Sequence, residues 1–390
     1  MKKVLLFNLI FACCLTASAQ SWRKLHHKAI VVDTHNDVLS TASIKGLNVA
    51  GDLSGQTHSD LARFAKGGVD VQVFSIFCDE RQTNSFQFAL REIDSLDAIA
   101  LRSPGQAMLV NNYQELQQVI RAGKLACMKG VEGGHMIEND LQKLDSLYKR
   151  GTRYMTITWN NSTPWATSAK DETDPSWKGP KGLTDFGKQV IRRMNQLGML
   201  VDLSHVGEQT FWDAMAVTTK PVLVSHSCVY SLCPHRRNLK VEQIKAVGKN
   251  GGVIHINFYS GFLDSSYEKR MARFTQNHQT AVDSLKALKW SGYEIEEWLA
   301  KQYPAEAQAL RPPLSLLIDH IDYIVKLIGV NHVGLGSDFD GIESLPQGLE
   351  GVQDMPAITQ ALRQRGYSKK DIKKILGGNF LRLLQANEAL

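Results

Sequence analysis

The chain has 390 residues, 43% of them hydrophobic and 22% charged, with 30 glycines, 11 prolines and a formal charge of +6. This composition excludes a disordered polymer, a collagen-like repeat and a small disulfide scaffold. Lysine and arginine are spread along the chain without a basic stripe, so nothing points to a nucleic-acid partner.

Residues 1–19 read as an export leader. Lys2 and Lys3 form a basic start, Val4 to Thr16 is mostly apolar, and Ala17-Ser18-Ala19 is a small-residue cleavage site. The remaining 20–390 then form one domain in a periplasmic or extracellular compartment. The leader's apolar run is shorter than the about 20 residues that a spanning helix needs, and no later stretch is apolar enough to span. The C-terminal LRLLQANEAL does not read as a lipid-anchor signal. Cys13 and Cys14 fall in the leader; Cys78, Cys127, Cys228 and Cys233 remain, without a CxxC pair, and read as buried thiols.

Along the chain, short apolar runs alternate with amphipathic stretches. The predicted strands are Ala29–Val38, Gly68–Cys78, Leu125–Gly133, Arg153–Trp159, Met199–His205, Pro221–His226, Gly252–Phe258 and His332–Asp338. Helical segments lie between them, among them Gln82–Leu101, Asp140–Arg150, Thr184–Leu197 and Val241–Lys249. Near-continuous apolar strands separated by helices suit a parallel sheet buried on both faces. Eight of them point to an α/β fold of the (β/α)8 barrel type. No glycine-rich phosphate turn follows the first strand, against a doubly wound open sheet. One stretch, about 262–313, is polar and helix-prone, and reads as a helical insertion after the seventh predicted strand.

Catalytic side chains of such barrels sit at the C-terminal ends of the strands. Ligand-type residues fall there repeatedly: His35 and Asp37 in VVDTHNDVL, Glu132 in KGVEGG, His205 in VDLSHV, His226 in VLVSHS and Asp338 in GLGSDFDG. A lone histidine at a strand end is usually a hydrogen-bonded structural residue. Three histidines and carboxylates in one register of consecutive barrel units favour a two-metal hydrolytic site. His26, His27, His58, His278 and His320 read instead as surface or helix residues.

The ordered set DTHNDVL, GVEGGHMI, TPWA, VDLSHV, VSHSCVYSLCPHRRN, NFY, GLGSDFDG and ILGGNFLRLL resembles the membrane (renal) dipeptidase family of zinc metallopeptidases, from about Val31 to Leu384. The resemblance implies a metal-dependent hydrolase barrel that cleaves dipeptides and tolerates a D-residue at the C-terminal position. It puts His35, Asp37 and Glu132 on one zinc ion, with Glu132 bridging to a second held by His205 and His226. Asp338 would act as general base and then acid. Arg237 would hold the substrate's free carboxylate and Tyr259 would line the same pocket. From the residues alone, Arg237 and its neighbour Arg236 are not distinguishable. A dipeptide is the implied partner, and a homodimer the assembly this reading allows.

The chain departs from the family pattern at one point. It reads Thr158-Trp159-Asn160-Asn161-Ser162-Thr163-Pro164-Trp165, with Trp159 where the family has an active-site histidine. An indole N–H can donate a hydrogen bond but carries no charge near neutral pH, while its face can stack on apolar substrate side chains. Two other readings stay open here: an amide or lactam hydrolase on the same barrel, and a catalytically weakened peptide binder.

Overall fold

Valine- and isoleucine-rich runs bounded by glycine and polar turns become nine parallel strands in the computed structural model, which describes residues 21–388. The predicted leader lies outside the described residues. The strands are β1 (Val32–Asp33), β2 (Val71–Phe77), β3 (Ala107–Leu109), β4 (Leu125–Glu132), β5 (Thr152–Thr156), β6 (Leu200–Asp202), β7 (Leu223–Ser227), β8 (Val253–Ile256) and β9 (Val333–Leu335). They pair in the order β1-β2-β4-β5-β6-β7-β8-β9. The ends are joined by Thr34 N–H to Leu335 O at 3.2 Å, Asp338 N–H to His35 O at 3.1 Å and Asp37 N–H to Phe339 O at 2.8 Å. The result is a nearly closed barrel of eight strands with helices between them, the (β/α)8 architecture.

The ninth strand, β3, was not predicted. It pairs with Leu125–Cys127 at the start of β4, just before β5 takes up β4 from Lys129 onward. Three residues between two helices are too short for a periodicity to register.

The strands are also shorter than their apolar runs. Predicted Met199–His205 stops at Asp202, and predicted His332–Asp338 stops at Leu335. Side chains replace the ladder there. Asp202 Oδ1 accepts the N–H groups of Ser204 at 3.1 Å and Ser225 at 2.8 Å, and Asp33 Oδ1 accepts Ser337 N–H at 2.8 Å. These carboxylates satisfy the backbone while the chain turns out of the barrel.

The outer helices bury one face each. In Asp185–Leu197, Val190, Ile191 and Met194 recur at helical spacing and are fully buried, Thr184 caps the start and Gly198 closes the end at φ 78°. Each such side chain contributes about 1.5–3 kcal/mol of burial. Between β8 and β9 the chain forms short helices at Ser260–Leu263, Tyr267–Asn277, Gln279–Ala287, Gly292–Gln302 and Pro304–Leu310. Phe274, Val282, Leu285, Ile295 and Leu299 give this segment a small apolar cluster of its own. The helix Leu314–Ile328 then makes the crossover to β9.

Cys78, Cys127, Cys228 and Cys233 are buried free thiols. His26 and His320 do lie on helices, but neither is at the surface: both are buried. His26 binds Thr359 Oγ1 at 2.7 Å and Gly67 O at 2.8 Å, and these fixed partners keep an imidazole inside. No helix among the described residues is long and apolar enough to cross a membrane.

Candidate metal centre

His35 and Asp37 follow β1, Glu132 ends β4, His205 follows β6, His226 lies in β7 and Asp338 follows β9. The barrel brings all six to its C-terminal mouth. His35 Nε2 lies 3.4 Å from Asp37 Oδ2, 3.4 Å from Glu132 Oε2 and 3.8 Å from Asp338 Oδ1. The other oxygen of Glu132, Oε1, is 2.9 Å from His205 Nε2 and 3.5 Å from His226 Nε2. One carboxylate thus addresses two groups of ligand atoms.

Each imidazole is held from behind through Nδ1. His35 Nδ1 meets the Tyr154 hydroxyl at 2.8 Å, and that hydroxyl donates to Thr34 O at 3.2 Å, which assigns the proton to Nδ1. Ser225 Oγ lies 2.7 Å from His226 Nδ1 and donates to Asp202 Oδ2 at 2.6 Å, with the same consequence. His205 Nδ1 is 3.3 Å from the acceptor Asn160 Oδ1. All three rings therefore turn a bare Nε2 lone pair to the centre, the tautomer that metal ligation requires.

Those lone pairs need a cation. His205 Nε2 and His226 Nε2 stand 2.9 Å apart, an arrangement that is repulsive for two bare nitrogens unless positive charge lies beside them. His35 Nε2 and Asp37 Oδ1 are buried with no hydrogen-bond partner among the described residues. Ligand atoms of His35, Glu132 and His226, and again of His35, Asp37 and Asp338, lie within 4.8 Å of one another. Nitrogen and carboxylate donors in this number fit divalent ions of the zinc type.

Burial dominates the electrostatics. It pushes the His205 imidazole down to about 3, with Arg237 adding to the effect, and lowers His226 well below its usual range. Both stay neutral, as ligands must. Burial opposes the charge of Glu132, but the imidazoles of His35, His205 and His226 around it hold that carboxyl well below its usual range. Asp338 goes the other way: burial pushes it up to about 8, against His35 and reinforced by Asp37 and Glu132. One carboxyl is kept charged and its neighbour is poised to hold a proton.

The backbone is strained where these groups are aimed. His205 and Asp338 take left-handed φ values of 66° and 62°. Gly341 permits the approach, since a Cβ there would lie 2.2 Å from Asp37 Oδ2 and 2.6 Å from Asp338 Oδ1. Gly130 clears space for Tyr154, whose ring carbon would be 2.1 Å from an added Cβ.

Arg237 and Arg236 part company in space. Arg237 is buried, donates from Nη1 to Ser227 Oγ at 3.2 Å and from Nη2 to His226 O at 3.1 Å, and leaves Nε without a partner among the described residues. With His205, Ser227 and Tyr230 it lines a cavity of about 390 Å³. Arg236 is exposed at its rim. Tyr259 does not line that cavity; its hydroxyl donates to Glu268 Oε1 at 3.3 Å. It reaches Arg237 only through Phe262, whose ring is 4.9 Å from Tyr259 and 5.4 Å from the guanidinium. Trp159 is half-buried at the mouth, with its ring 4.9 Å from Phe77 and 6.5 Å from His205.

Sequence reasoning missed Tyr154, Asn160, Asp202 and Asn257, the last donating to Asp338 Oδ2 at 2.8 Å. A glycine inside a buried strand, Gly130, was the available signal for a large group packed against it.

The chain matches the model of the membrane dipeptidase family, peptidase family M19, over residues 19–390. It is 30% identical over 372 residues to mouse (Mus musculus) Dipeptidase 3, covering 92% of this chain but 64% of that protein's length. The fold is similar to the probable dipeptidase PvdM from Pseudomonas aeruginosa, with a TM-score of 0.78 at 23% identity over 96% of this chain and 99% of the other. It is also similar to a Rhodobacter sphaeroides metallopeptidase liganded with a phosphinate mimic of L-Ala-D-Ala, with a TM-score of 0.74 at 22% identity over 92% and 100% of the two chains. With the family model matched over nearly the whole chain, the chain belongs to the membrane dipeptidase family M19.

Proposed function

We propose that this chain is an exported metal-dependent dipeptidase that holds two zinc ions per chain. The observation that carries the reading is the division of Glu132, with Oε2 toward His35 and Oε1 toward His205 and His226. His35, Asp37 and Glu132 would hold one ion, and Glu132, His205 and His226 the other. When bound, the ions supply Lewis-acid charge at the scissile carbonyl and lower the pKa of the attacking water. Asp338, whose Oδ2 accepts from Asn257 at 2.8 Å, would take a proton from the attacking water and return it to the leaving amine.

Arg237 supports a substrate with a free C-terminal carboxylate. Its planar fork gives two-point recognition, and its partnerless Nε faces no competing protein acceptor. A D-residue at the C-terminal position agrees with the L-Ala-D-Ala mimic held by the Rhodobacter sphaeroides peptidase of the same fold. Export rests on the leader pattern in residues 1–19.

A dipeptide panel with L- and D-C-terminal residues and their C-terminal amides, run before chelation, after it and after zinc is restored, tests the reading. Turnover should vanish on chelation, return with zinc and be poor for every amide. Equal turnover of free and amidated dipeptides would remove the carboxylate clamp, and turnover that survives chelation would remove the metal centre.

A further inference from the structure

Phe77 is the last residue of β2 and Trp159 lies just past the end of β5. Around the barrel these strands flank β4, which ends in Glu132. The two rings meet across that end at 4.9 Å and an interplanar angle of 56°. Both residues are half-buried rather than closed off in the core. Gly133 lets them settle there: at φ 107° it has no Cβ, and one placed there would lie 3.3 Å from Trp159 Cβ and 2.5 Å from the His135 ring.

The backbone that carries both rings is held from behind. Glu92, buried on the helix Ser85–Arg102, accepts the Phe77 N–H at 2.6 Å. Asn160, next to Trp159, faces His205 Nδ1 through its side chain at 3.3 Å and accepts the Ser168 hydroxyl at its carbonyl at 2.8 Å. The indole N–H makes no hydrogen bond among the described residues. A pair of packed aromatic rings beside the candidate metal centre, with no polar task of its own, is suited to an apolar side chain.

The strand order says which side chain. Arg237 follows β7 and Trp159 follows β5, with His205 after β6 between them. Phe77 ends β2, opposite β7 in the ring of eight strands, so a dipeptide with its carboxylate at Arg237 and its peptide bond over Glu132 would turn its N-terminal residue toward Phe77 and the Trp159 ring packed on it. We infer that Phe77 and Trp159 form a subsite for the side chain of the N-terminal residue, selecting aromatic and large aliphatic groups. This rests on the dipeptidase reading above and adds a substrate class to it.

Binding of phosphinate analogues to the zinc-loaded protein tests it without requiring turnover. The analogue of L-Phe-D-Ala should bind at least about tenfold more tightly than that of L-Ala-D-Ala, the scale of stacking plus apolar burial for one ring. It should also change tryptophan fluorescence, and Trp159→Phe should abolish the change. Phe77→Ala should reduce the preference to about threefold or less, while Phe77→Leu, which keeps an apolar surface and serves as the folding control, should retain most of it. Equal affinities for the two analogues, or a preference that follows the C-terminal residue in an L-Ala-D-Phe analogue, would overturn the subsite alone. Failure of all three analogues to bind the loaded protein would overturn the dipeptide reading and the subsite with it.

Discussion

The Tyr154 hydroxyl sits 2.8 Å from His35 Nδ1, on the side of the ring away from the coordinating Nε2, and donates to Thr34 O. Its part is to decide which nitrogen of His35 carries the proton. Tyr154→Phe removes that acceptor and leaves the ring in place. Zinc affinity, measured by competition with a chromogenic chelator, should fall about 10–100-fold, the usual cost of losing a group that orients a ligand. Unchanged affinity would mean that packing alone orients His35. The candidate ligands could be picked out because five of the apolar runs stop at residues with metal-binding chemistry. Their supports were not, because Tyr154 comes from β5 and Asp202 from β6, distant in sequence from the rings they orient. Arg237 and Arg236 show the same limit, since only the folded loop separates the buried guanidinium from the exposed one.

Elements fix the remaining geometry, and His320 is where three of them meet. It lies on the helix Leu314–Ile328, accepts the Val229 N–H at Nδ1 at 3.0 Å and faces Leu263 O from Nε2 at 3.1 Å. Both nitrogens are committed to the neutral form, so a second proton has no place. Burial pushes the group down to about 4 in the folded chain, from an ordinary 6.5. The unfolded chain therefore binds the proton first. His320's contribution is fully present above about pH 6.5 and is lost as pH falls from there toward 4, approaching roughly 3 kcal/mol. Metal-free protein and its His320→Gln variant should show different urea midpoints against pH, with the variant's curve flatter between pH 6.5 and 4.5. Parallel curves would show that His320 does not titrate with unfolding. At this scale the long amphipathic helices were readable from their caps and periodicity. Asp140 and Thr184 accept from Gln142 N and Gly187 N at the starts of their helices. The helix Val38–Lys45 was hidden because it begins immediately after Asp37, inside what reads as one apolar strand.

For the molecule as a whole, the metal centre and the closure of the barrel occupy the same place. His35 and Asp37 share backbone hydrogen bonds with Asp338 and Phe339 across the junction of β1 and β9. Ions bound at that junction hold charged and lone-pair groups together that would otherwise repel, so loading should stabilise the barrel as well as equip it. The overall fold was legible because a (β/α)8 chain writes its strands as separate apolar runs. The extra strand β3 and the exact ends of the strands depend on partners that only the folded barrel supplies. Glu132 is proposed to serve two ions at once, and metal content tests that most directly. Elemental analysis of protein purified without chelator should give about two zinc equivalents per chain. A folded Glu132→Ala variant, verified by its circular dichroism and melting, should retain close to none, because the change removes a ligand from each ion. A folded variant that still holds two equivalents would contradict the bridging role and the two-metal centre built on it.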